Sequence, residues 1–174
     1  MTEITKREIK SYLEEESSSL NTFRTLILFG KNSATYKFAF CHSLLKISAR
    51  NEVKYDELRD EFVKELISHY EQNPHQFQSE STVLTKAMSL FLQSTRSESD
   101  WNTLLTVAEA SIYNNVFDAF QNVGNGTINK EYQLFEHDKK NKKLVLTDNV
   151  NSILENERFK EVLNNENQSS RVVR

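Results

Sequence analysis

The stretch Ser17–Asn51, SSSLNTFRTLILFGKNSATYKFAFCHSLLKISARN, decides the fold, because its second half is apolar around most of a helix. At about 100° per residue, Tyr36, Ile47, Phe40, Leu44, Cys41, Ala34, Leu45 and Phe38 cover all but a strip holding Thr35, His42, Ser43, Lys46 and Arg50. A helix with so little polar surface is normally enclosed by others. The segment starting near Ser33 is therefore expected to be the central helix, capped by Asn32 or Ser33 and preceded by a stop at Gly30.

Working outward, Thr5 and Glu8 form a capping box for a first helix reaching about Glu16, with Ile4 and Ile9 as a staple. Leu20, Phe23, Leu26, Ile27 and Phe29 mark a short second helix. Beyond the central helix, Leu58, Phe62, Val63, Leu66, Ile67 and Tyr70 predict a helix over 55–73, started by Asp56 and Glu57 and ended by Pro74. Val83, Leu84, Ala87, Met88 and Phe91 predict another. Ser97 with Asp100 opens a long one running through Trp101, Leu104, Leu105, Ala108, Ile112, Val116, Phe117 and Phe120, and Gly124-Asn125-Gly126 closes it.

The period then changes. Tyr132 and Leu134, and after Asp138–Lys143 also Leu144 and Leu146, alternate with other residues, which predicts a β-hairpin over about 131–147. Two strands alone are marginal, so one face should pack on the helices. Thr147-Asp148 is read as the cap of a last helical region containing Val150, Ile153, Leu154, Phe159, Val162 and Leu163. The expected fold is mainly α: one multi-helix domain, residues 1–174, around a buried central helix, with a small hairpin toward the C-terminal end.

Composition agrees with a helix-rich chain of few tight turns: three glycines and one proline among 174 residues, 37% apolar and 27% charged. The net charge of −3 speaks against a surface that coats nucleic acid, leaving room only for a local basic patch. One cysteine, Cys41, excludes an internal disulfide and reads as a small core residue. No signal-peptide core or bilayer-length apolar run is present, so a cytoplasmic protein without a membrane partner is expected.

The chemistry-bearing residues are sparse. His42, His69, His75 and His137 fall in four separate elements with no ligand at metal spacing beside them, so neither a catalytic residue, a metal nor another cofactor is expected in this chain. FGKNS at Phe29–Ser33 superficially resembles a phosphate-binding loop, but the upstream glycine position is Thr25, and a helix stop followed by a cap explains it better. Charge is more informative: Ser17–Asn51 holds Arg24, Lys31, Lys37, Lys46 and Arg50 but no acid, where about five would be expected. One account is a buried helix with few charges of any kind; the other is a basic strip that meets phosphate or an acidic partner, with Lys46 and Arg50 one turn apart. Lys37 falls within the apolar arc, where its stem should pack while its head reaches water or a neighbouring carboxylate. Lys139, Lys140, Lys142 and Lys143 at the hairpin tip are the second basic cluster.

NSATYKFAFCHSLLKIS (Asn32–Ser48), a helix with paired Phe62 and Tyr70, NNVFDAFQNVG (Asn114–Gly124), YQLFEHDKKNKKLVLTDNV (Tyr132–Val150) and the closing ENQSSRVVR together resemble the N-terminal helical region of bacterial HNH-type endonucleases, several linked to restriction or phage defence. The resemblance covers nearly the whole chain. In that family a metal-binding HNH module follows at about the position of Arg174, and nothing here matches it. The resemblance thus implies the N-terminal part of a longer protein: a non-catalytic domain that helps place a nuclease on DNA or on a partner chain. Contact with duplex DNA would be weak and electrostatic. The alternative is a protein-interaction or dimerisation module without DNA contact.

Overall fold

A computed structural model describes residue 22 and residues 25–26, 34–47, 50–77, 82–123 and 126–155. The first predicted helix, most of the second, Arg24, Lys31, FGKNS and the last helix beyond residue 155 lie outside the described residues. Thr22, Thr25 and Leu26 are helical and buried.

The central helix, α1, spans Ala34–Ile47. It packs most extensively on α2, Tyr55–Gln72, which has Asp56 and Glu57 in its first turn, where the helix dipole favours negative charge. Pro74, which cannot continue the helical ladder, opens a separate turn at Pro74–Gln76. Helix α3, Val83–Gln93, and α4, Glu98–Ile112, pack on each other. Ser97 caps α4 as expected: the Asp100 N–H donates to Ser97 Oγ at 3.2 Å, and the Ser97 N–H donates to Asp100 Oδ2 at 3.0 Å. Beyond Ile112 the helix widens into a π-helical turn, Tyr113–Phe117, and returns to one α turn, Asp118–Phe120. Strands β2, Asn122–Val123, and β3, Gly126–Thr127, form a minute ladder, while Gly124 and Asn125 of the predicted stop lie outside the described residues.

The hairpin is β4, Phe135–Asp138, with β5, Lys143–Leu146, and a third strand joins it. Strand β1, Glu52–Lys54, pairs antiparallel with β5, giving the order β1-β5-β4. Tyr132 belongs to a 3-10 turn, Lys130–Tyr132, rather than to the hairpin. Val53, Leu144 and Phe135 share the buried face; Glu52, Lys54, Glu136, Asp138 and Lys143 line the other. The added strand gives the sheet the third member that independent stability asks for. Helix α5, Asp148–Leu154, starts where expected with Thr147 at its N-cap position, although the Thr147 hydroxyl makes no cap bond and donates instead to the Gln133 carbonyl at 2.6 Å.

The core centres on Phe40, fully buried with its ring centroid 4.5 Å from Phe120, 5.2 Å from Phe117, 5.6 Å from Phe135 and 6.3 Å from Phe62. One α1 side chain thus joins α2, the π turn, the last turn after it and β4. No described helix is long and apolar enough to cross a membrane.

Candidate nucleic-acid interface

Two basic clusters stood out in the sequence, and the fold treats them differently. The first lies along α1. Its strip of Thr35, His42 and Ser43 is not an open side, because all three are buried, with the Ser43 hydroxyl donating to the Ala39 carbonyl one turn back. Lys37 is buried as well, at 4% exposure. Burial lowers the pKa of its ammonium, opposed by the Cys41 thiol one turn on, whose own pKa is pushed well up by burial.

Lys46 and Arg50 emerge where α1 ends and meet the acidic side of α2. Lys46 is ion-paired with Glu65 and lies 4.0 Å from Glu61; Arg50 pairs with Glu57 at 3.2 Å. Glu57, Glu61 and Glu65 recur every four residues, which sets them on one helical face opposite the two cations. The groove between the helices is lined by Lys46, Arg50 and Lys64 against Glu57, Asp60 and Glu61, and so carries no excess positive charge. Lys46 and Arg50, at the end of the acid-free stretch, thus meet the carboxylates of the chain's own α2.

Deeper in the same seam, His42 Nδ1 lies 3.5 Å from Glu65 Oε2. A carboxylate only accepts, so Nδ1 bears a proton, and Nε2 is buried and finds no partner among the described residues. Burial would raise the Glu65 pKa, but hydrogen bonds from His42 and Lys46 outweigh it and hold the group at about 2. Burial lowers the pKa of the neighbouring His69 from its ordinary 6.5, against the pull of Glu65. Both shifts disfavour acid. His69 contributes stability that is full above pH 6.5 and declines as pH falls below it; Glu65 contributes stability that is full above 4.5 and is lost as pH falls toward 2. Urea midpoints measured against pH should therefore fall in two limbs. His69→Gln is expected to flatten the upper limb and Glu65→Gln the lower, and a parent as stable at pH 3 as at pH 7 would contradict both assignments.

The second cluster is the hairpin tip. Asp138 closes the loop by accepting the Asn141 N–H at 3.1 Å and the Asn141 side-chain amide at 2.7 Å, and these bonds hold its carboxyl below the usual range. Lys143 is drawn onto the outer face of the sheet, 2.7 Å from Glu52 and 4.0 Å from Asp138. These carboxylates offset the like charge of Lys54, directly opposite Lys143. Lys139, Lys140 and Lys142 are exposed. Lys142 has φ of 51°, in the left-handed region that costs a residue with a Cβ about 1–2 kcal/mol. Its carbonyl accepts the Tyr55 N–H at 2.9 Å, tying the loop to the start of α2.

The remaining histidine of this region is structural. Tyr55 Oη lies 2.9 Å from His137 Nδ1, and His137 Nε2 lies 3.2 Å from the Phe117 carbonyl. That carbonyl only accepts, so Nε2 bears a proton, and the two contacts join α2 and the hairpin to the π turn. Among the described residues no three His, Cys, Asp or Glu side chains converge as a metal cage. The His42–Glu65 contact was not anticipated; the signal for it was a polar strip on α1 opposite the four-residue carboxylate repeat of α2.

Compared with known protein families, with characterised proteins and with solved structures, the chain finds no match.

Proposed function

We propose that the chain is the non-catalytic accessory domain of an HNH-type nuclease, which places a catalytic module on DNA or on a partner chain. The resemblance suggests the family. The observation that carries the accessory role is that the ionisable groups gathered between α1 and α2 are spent on one another, with Glu65 joined to His42 and Lys46, and Arg50 to Glu57. Such a seam fixes the helices rather than poising an acid and a base for reaction. The purified chain, incubated with plasmid DNA and magnesium, manganese or zinc, is expected to leave it intact. An HNH module fused after Arg174 should cleave at lower DNA concentration than the module alone. Nicking by the chain itself that survives further purification, or a module indifferent to the fusion, would overturn the reading.

A second reading, an interaction module without DNA contact, is favoured by Val83 and Leu90. They are 70% and 68% exposed, and seven residues apart on α3 they share one face. Self-association in sedimentation velocity that Val83→Ser with Leu90→Ser abolishes would support it; a monomer at all concentrations would count against a dimer.

A further inference from the structure

We propose that the hairpin tip is a contact for the phosphate backbone of duplex DNA, made by Lys139, Lys140 and Lys142 held in one fixed arrangement. The proposal rests on the DNA arm of the accessory-domain reading and assigns it a place. Three observations carry it. The loop is stapled: Asp138 binds both the backbone and the side chain of Asn141, and Tyr55 holds the Lys142 carbonyl, so the cations are presented by a closed turn rather than a floppy arm. Less ordering is then lost on binding.

The second observation is the backbone of Lys142. At φ of 51° glycine would be the easier residue, yet a lysine stands there. A backbone outlier on a surface turn points to a use for its side chain. The third is exposure: Lys139, Lys140 and Lys142 lie at the surface, whereas the groove beside Lys46 and Arg50 carries as many acids as bases.

The chemistry of the loop selects the ligand. Asp138–Lys143 contains no aromatic residue to stack on unpaired bases and no arginine to read a base edge bidentately. It has no apolar residue to enter a lipid interface. Lysines are point charges suited to phosphate oxygens. Contacts of this kind position a protein without reading sequence.

The test is fluorescence anisotropy of the full chain with a labelled duplex of mixed sequence, titrated at several salt concentrations. Three lysine–phosphate contacts predict a log–log salt slope of about −2.7, so affinity should fall about 40-fold between about 50 and about 200 mM salt. Lys139→Gln, Lys140→Gln and Lys142→Gly should each take about 0.9 off that slope, with Lys86→Gln on α3 as a charge control that leaves it unchanged. Lys142→Gly separates function from structure: its thermal midpoint should equal or exceed the parent's while its duplex affinity falls. The same strand unpaired, and phosphatidylserine vesicles, are run alongside and should bind more weakly. Duplex binding that the triple variant retains would overturn the site and leave the accessory reading standing. Absence of duplex binding by the parent would overturn the site and remove DNA from that reading, as would a preference for the vesicles.

Discussion

Phe40→Ala is expected to cost about 3–5 kcal/mol, enough to bring a domain of ordinary stability close to unfolding. The ring is fully buried and meets four others from four parts of the chain, so its removal leaves a cavity whose walls belong to different elements and cannot all move inward. Aromatic pairs of this geometry add about 0.5–1.5 kcal/mol each beyond burial, though pairs sharing one ring do not sum. Phe40→Leu, which keeps most of the volume, should cost less than half as much. Urea unfolding at neutral pH checks both, and a loss below about 1 kcal/mol for the alanine variant would mean the core is not centred where the packing puts it.

The second large effect is expected at Gln121, whose buried side chain behaves as an extra peptide group beside β4. Its amide donates to the Phe135 carbonyl at 2.9 Å, and its oxygen accepts the Leu134 N–H at 2.6 Å and the Phe135 N–H at 3.3 Å. Truncation to alanine strands these backbone groups away from water, at about 1–3 kcal/mol for each one left unmet, so a total near 3 kcal/mol is expected. Gln121→Glu probes the same contact with a near-isosteric change. It replaces the donor facing the Phe135 carbonyl by an anionic oxygen, and burial then raises the carboxyl pKa. Its deficit should shrink as pH falls toward 4, because the protonated acid regains an O–H to donate. A pH-independent deficit would show that hydrogen bonding at Phe135 is not what the residue supplies.

The helices were legible wherever a local signal coincided with the apolar stripe: Pro74 ends α2, Ser97 and Asp100 begin α4, and the wide apolar arc makes α1 central. What a single element cannot show is what lies across from it. The polar strip of α1 looked like its outside, yet Thr35, His42 and Ser43 are inside, where α2 brings Glu65 to meet His42 and Ser43 turns back on its own helix. Strand β1 went unseen because three residues, Glu52-Val53-Lys54, carry too little alternation to stand apart from a loop. Thr147 stands at the N-cap its sequence suggests, but a hydroxyl before a helix has more than one use, and here it donates to Gln133. At the hairpin tip the run of lysines was plain, but only the sheet register shows that Lys143 is turned toward Glu52 and Asp138 while the others lie at the surface.

The pairing of β1 with β5 also bears on how the chain reaches this state. These strands lie far apart in the sequence, and between them come α2, α3, α4 and the π turn. Closing so long a loop costs entropy before its few hydrogen bonds return anything, whereas helical contacts form between near neighbours. The helices should therefore assemble early and the sheet zip last, its amides gaining protection in pulsed hydrogen exchange after those of α2 and α4. A nascent chain that has emerged only as far as α4 would hold Phe40 without Phe135 above it, so the order of synthesis leaves the core uncovered until the hairpin arrives to close it.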